Sequence, residues 1–249
     1  MKKILFLFAL ILVLVSCNDN KELEFKTETF TEKSTLPCSD NCPSVEVKIP
    51  IAKKGTVAAD SINNRVFEVV RSIIYFGEKP YPSSEYKGLL HSFISSYDEM
   101  KKEFPKDTFG WEAKIEGSIP YETENVLNYR IDHYSFTGGA HGYQGVRSLN
   151  FNPETGKILK NEDLFKDVNA FTKLAETKFR IKYKIPKNDG INSTGLMFED
   201  DKFALPFTLL FNDKGLLLYY NSYEAASYAD GPQEIQLTFA ELEPYLKVK

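Results

Sequence analysis

The sequence predicts an α+β fold, a mainly antiparallel sheet built from hairpins with about three amphipathic helices packed on it. Two observations carry this. Apolar residues recur at spacings of three and four in two neighbouring stretches after residue 60, and from Trp111 the recurrence changes to every second residue in consecutive runs. Helices and strands are thus grouped and do not alternate one for one, as the crossovers of a parallel sheet require.

Each element has its own signal. Val45-Glu46-Val47-Lys48-Ile49 alternates apolar and charged residues as a strand does, and Pro50 limits it. Asp60 or Ser61 is placed to cap a helix carrying Ile62, Val66, Val69, Val70, Ile73 and Ile74, with Gly77 at its end. Ser83 or Ser84 opens a second helix that carries Leu89, Leu90, Phe93, Ile94 and Tyr97 on one face, with Pro105 beyond it. Trp111, Ala113, Ile115 and then Val126, Tyr129, Ile131 form two strand-like runs about a turn at Thr123–Asn125. Val146–Phe151, the turn Asn152–Gly156 and Lys157–Leu159 read as another hairpin. A third helix spans about Asn169 to Lys184, stopped by Pro186, and strands return at Phe207–Phe211, Leu216–Asn221 and Glu234–Thr238.

The N-terminus reads as an export signal. Lys2 and Lys3 precede an unbroken apolar run, Ile4 to Val15, closed by Ser16-Cys17. A helix of that length reaches about 18 Å, short of the roughly 30 Å hydrocarbon core, so the run is a signal and not a span. Leu14-Val15-Ser16-Cys17 resembles the lipobox of bacterial lipoproteins, which implies cleavage after residue 16 and lipid on Cys17. Residues 17–36, rich in Asn, Asp, Lys, Glu and Thr, then form a solvated tether followed by a first strand. The division expected is signal 1–16, tether 17–36, an N-terminal α/β region 37–109 and a C-terminal domain 110–249. A lipobox without a following span suits a lipid-anchored protein of the cell envelope, at the outer membrane of a two-membrane bacterium.

Loss of Lys2 and Lys3 takes the formal charge from −4 to −6, which disfavours nucleic acid as a partner. With 42% apolar and 14% aromatic residues the chain has ample material for a core. Cys38 and Cys42 remain after Cys17 and, outside the cytoplasm, read as a disulfide. A zinc site there would need two further ligands, and none lies near in sequence.

Two stretches resemble a known family. They are Tyr134–Gly142 with Phe151–Lys157 and Asp163-Leu164-Phe165 behind it, and Phe207–Leu246, which contains Gly215-Leu216, Tyr219-Tyr220 and Tyr223–Gly231. The family is an extracellular domain of unknown function seen in the anti-sigma factor RsiV, where it binds lysozyme, and ahead of the catalytic domain of the peptidoglycan deacetylase PdaC. The chain shows no sigma-binding region and no deacetylase domain. The resemblance therefore implies an extracytoplasmic, non-catalytic binding module, with lysozyme-like proteins or cell-wall glycans as the ligand class to test. No cofactor is implied.

Several residues carry alternative readings. Gly138, Gly139 and Gly142 supply positive φ for a tight turn, or the turn presents His141 and free N–H groups to a ligand. Of the three histidines, His91 lies on a helix as a solvated or capping residue, while His133 and His141 with Asp230 would form a metal-dependent hydrolytic site if folding joined them. No spacing matches an established zinc motif, and neither a Gly-x-Ser-x-Gly elbow nor a free cysteine offers a nucleophile. Tyr143, Tyr220, Tyr223 and Tyr228 with Asp230 are candidates for a ligand surface, since tyrosine joins an apolar ring to a polar tip. Alternatively the tyrosines face the core and Glu224 and Asp230 hold the loop. Glu112 with Glu116, and Glu122 with Glu124, share strand faces and read as catalytic pairs or as solvated charge. A structural role in the envelope is the remaining alternative.

Overall fold

The computed structural model describes residues 23–38, 42–106 and 109–248; the segment read as an export signal and Cys17 lie outside the described residues. The fold is α+β, with two mostly antiparallel sheets. The first contains β1 (Phe25–Lys33), β2 (Ser44–Ala52), β3 (Glu112–Glu122), β4 (Leu127–Phe136) and β5 (Tyr143–Phe151), in that spatial order. One pair departs from the hairpin pattern. β2 and β3 run parallel, Val45 beside Ala113 and Val47 beside Ile115, because α1 (Val57–Ile73) and α2 (Tyr86–Glu103) form the crossover that joins them. Both helices cover one sheet face and bury Ile62, Val66, Val70, Leu89, Phe93 and Tyr97 against Val47, Ile49, Ile115, Tyr129 and Ile131. A border at residue 110 falls between α2 and β3, inside that crossover.

Helix limits differ from the sequence reading at several points. α1 starts earlier than Asp60 because Ala58 and Ala59 are buried, and Thr56 caps it by accepting the Ala59 N–H at 3.1 Å. α2 starts at Tyr86, while Ser83 turns back on Glu85, accepting its N–H and donating to its carbonyl. The first strand expected after the tether is β1 at residues 25–33, whose Phe30 stacks on Tyr86 at 4.8 Å. The helix limit at Gly77 also moves, to Ile73. Cys38 and Cys42 are joined, with their Cα atoms 5.5 Å apart.

The second sheet contains β6 (Thr208–Asn212), β7 (Gly215–Tyr220) and β8 (Gln233–Thr238). Before it come the short α3 (Asn161–Leu164), α4 (Val168–Lys182) capped by Asp167, and a 3-10 turn at Glu199–Asp201; after it comes α5 (Phe239–Leu242). Phe171, Ala175 and Phe179 of α4 pack with Phe211, Leu216, Leu218 and Leu237 as a second core. Tyr121 at the far end of β3 reaches this core and stacks on Phe211 at 5.6 Å. Val126, read as a strand residue, lies just before β4 and belongs to this core as well. Among the described residues no helix is long and apolar enough to cross a membrane.

The two sheets meet along a seam of buried amides. Asn221 closes on Val146 of β5, accepting its N–H at 2.7 Å and donating to its carbonyl at 3.0 Å. Ser148 Oγ accepts the Leu209 N–H of β6 at 2.9 Å, and Asn150 donates to the Leu209 carbonyl at 3.1 Å. Side chains thus take the place of a neighbouring strand on both edges. Asn221→Ala leaves a buried donor unpaired and is expected to cost about 2 kcal/mol, read as a shift in urea midpoint without a change in slope.

Candidate functional site

The turn between β4 and β5 spans the glycine-rich segment. Gly138 and Gly139 take φ of +113° and +91° with open space around them, the conformation the sequence reading required. Gly142 does not. It is outside the left-handed region, and an added Cβ would lie 2.5 Å from the Tyr134 ring, so glycine is needed there for close approach. That approach places His141 flat against Tyr228, ring centroids 4.0 Å apart. Both side chains also converge on one carbonyl: His141 Nδ1–H and the Tyr228 hydroxyl donate to Gly142 O at 2.9 and 3.0 Å. Tyr223 stacks on Tyr228 as well, at 5.7 Å, so three rings are linked through Tyr228 in a ladder.

A groove of about 680 Å³ opens beside the ladder. His141 and Gly142 form one wall, Tyr134 and Phe136 of β4 contribute rings, and Cys42, Phe109 and Glu112 line the rest. Tyr134, Phe136 and Phe109 were not singled out from the sequence. The first two sit at the end of a strand whose alternation aims them away from the helix-covered face, a readable signal; the third had none.

The other candidates separate. Tyr220 is 1% exposed; its ring packs on Phe179 and its hydroxyl donates to Ala204 O at 2.8 Å, so it is a core residue and not a ligand contact. Tyr143 lies beside His133, half-buried, its hydroxyl pushed up mainly by burial. Asp230 is exposed and accepts from the Ser227 hydroxyl within the loop. Glu224 holds the loop by accepting the N–H groups of Phe207 and Asn221 at 2.7 and 3.0 Å. Of the acidic pairs, Glu112 lines the groove whereas Glu116 pairs with Lys48. His91 is exposed and pairs with Glu32 of β1.

His133, His141 and Asp230 do not assemble. His133 is buried on the helix-covered face next to Gly145 and Tyr143, His141 is in the ladder, and Asp230 is tied to Ser227. Among the described residues no three His, Cys, Asp or Glu side chains are grouped to hold a metal, so the hydrolase alternative loses its ligand set.

Two family models match this chain. Residues 37–144 match the one described as Deacetylase PdaC, and residues 162–240 the one described as Protein of unknown function (DUF3298). The resemblance seen in the sequence therefore stands in both halves. A solved DUF3298 family structure from Bacteroides fragilis is 24% identical, covers 90% of this chain and 93% of its own, and superposes with a TM-score of 0.72. Another, from Pseudomonas aeruginosa, is 19% identical, covers 90% and 94%, and gives 0.62. At these identities the likeness is one of fold. No curated protein matches the chain. The PdaC match contributes the His141 turn and the DUF3298 match contributes the Tyr223–Asp230 loop, so the ladder forms where the two matched regions meet.

Proposed function

We propose that the protein is a non-catalytic, extracytoplasmic binding module, lipid-anchored in the cell envelope through Cys17, which takes a cell-wall glycan or a lysozyme-like protein at the His141 groove. The observation that carries this is the ladder of His141, Tyr228 and Tyr223 on the rim of the groove. Stacked rings with fixed hydrogen bonds present apolar faces and polar edges at little entropic cost on binding, and the groove volume is that of a ligand site. The lipobox and the charged signal support the placement outside the cytoplasm, with the outer membrane of a two-membrane bacterium as the site that suits them.

Calorimetry with soluble peptidoglycan fragments and a panel of lysozymes tests the proposal. Tyr228→Ala removes the middle ring and is expected to weaken binding about ten-fold or more, whereas Tyr228→Phe keeps the stack and most of the affinity. Absence of binding to every member of the panel by the wild type overturns the reading.

A further inference from the structure

We infer that the groove selects a ligand carrying a free primary ammonium group, an amino sugar whose nitrogen is not acylated, and that Glu112 makes the selection. The inference rests on the reading of the groove as a binding site and names the chemistry of the sugar it takes.

Glu112 opens β3 between Trp111 and Ala113, both buried under the helices, so its carboxylate stands on the opposite, open face of the sheet. The antiparallel register places Phe136 of β4 directly across from it and Tyr134 two residues further along the same face. Side chains paired in this way start about 5 Å apart at Cβ. The Tyr134 ring lies against Gly142, and Phe109, 64% exposed, adds a further ring to the lining. One carboxylate thus stands among three aromatic rings in one groove.

Glu112 is the sole carboxylate of the lining, which holds no Lys or Arg. It is exposed, and among the described residues it has no ion-pair partner. The neighbouring cations are placed elsewhere. Lys48 pairs with Glu116, Lys114 stands in register between Glu46 and Tyr134 outside the lining, and Lys33 lies two strands away, across from Ser44. His141 is engaged with the Gly142 carbonyl and the Tyr228 ring.

An anionic ligand would find no Lys or Arg along this lining, whereas a primary ammonium finds both partners it favours. It donates charge-assisted hydrogen bonds to the carboxylate, and these are stronger than neutral ones. Its remaining N–H groups meet ring faces, which attract cations. Acylation of the same nitrogen removes the charge and leaves a single N–H. Glu112 therefore discriminates between two sugars that differ only at nitrogen, which stacking on rings alone does not do.

Calorimetry of the full protein with a glucosamine tetramer and with the N-acetylglucosamine tetramer reads the selection directly, in mildly acidic buffer of low ionic strength where the amines carry their protons. The free amine is expected to bind about ten-fold more tightly. The preference shrinks as salt is added, because an exposed carboxylate is screened. Glu112→Gln, close to isosteric and at an exposed position, brings the two affinities together. Glu116→Gln removes the same charge from the same sheet face outside the groove and keeps the preference, which separates selection by Glu112 from attraction by the net negative charge. A free amine bound no more tightly than the acylated one, or a preference that survives Glu112→Gln, overturns the inference and leaves the groove reading standing. Binding of neither tetramer overturns the inference as well, and the groove reading falls with it where the peptidoglycan fragments and lysozymes also fail to bind.

Discussion

Gly156→Ala is expected to lower the free energy of unfolding by about 3 kcal/mol. Gly156 closes the turn after β5 with its N–H on Asn152 O at 2.8 Å, and its own carbonyl accepts the Ser61 hydroxyl of α1 at 2.8 Å. Its φ is +67°, and a Cβ there would lie 2.4 Å from Ala58 O and 2.7 Å from Ala58 Cα. Those are helix backbone atoms, which cannot rotate aside, so the turn or the helix must move. Gly139→Ala is the control: it too has positive φ, at +91°, but meets nothing within 4 Å and bears only the conformational cost. Urea unfolding of the two variants separates strain from collision. Equal destabilisation would show that the turn does not rest on α1.

The second large effect is on pH dependence. His133 is 5% exposed, and among the described residues neither of its ring nitrogens has a hydrogen-bond partner. Burial above all, and then the Arg147 charge, lower its pKa to about 4, against the opposing pull of Asp132. In the unfolded chain the ring titrates near 6.5, so the unfolded state binds more protons between the two values. The stabilisation is therefore complete above about pH 6.5 and is lost as pH falls through the folded pKa, by about 3 kcal/mol in all. His133→Leu cannot take up that proton and is expected to flatten the stability profile between pH 7 and 4 relative to wild type. An identical slope in the variant would show that the ring finds a partner when charged.

The periodic elements were legible because each has one covered face. In β7, Leu216, Leu218 and Tyr220 alternate into the second core, and this alternation already marks Tyr220 as an inner residue; grouping it with the loop tyrosines ignored that signal. Phe207 shows the opposite failure. Its spacing from Leu209 and Phe211 suggests an inward ring, yet it stands one residue before β6 and turns outward. The parallel β2–β3 pair was hidden because one helical crossover among hairpins leaves no mark in either strand's pattern. The stacking of His141 on Tyr228 left no mark in the sequence, because it goes with the close approach of Gly142 to the Tyr134 ring, a contact between residues without a shared pattern.

The buried amide seam has a consequence for how the chain behaves at high protein concentration. An uncovered strand edge is a template on which any extended polypeptide can add, and such templating seeds aggregates. Asn221 stoppers β5 at Val146, Ser148 and Asn150 stopper β6 at Leu209, and the Tyr183 hydroxyl does the same for β8, accepting the Glu234 N–H at 2.8 Å and donating to its carbonyl at 3.2 Å. The edge of β1 is defended differently, by Lys26, Glu28, Glu32 and Lys33 along a nine-residue strand. Polar side chains at the margins of both sheets therefore guard a protein with two separate cores against polymerising through its own strands.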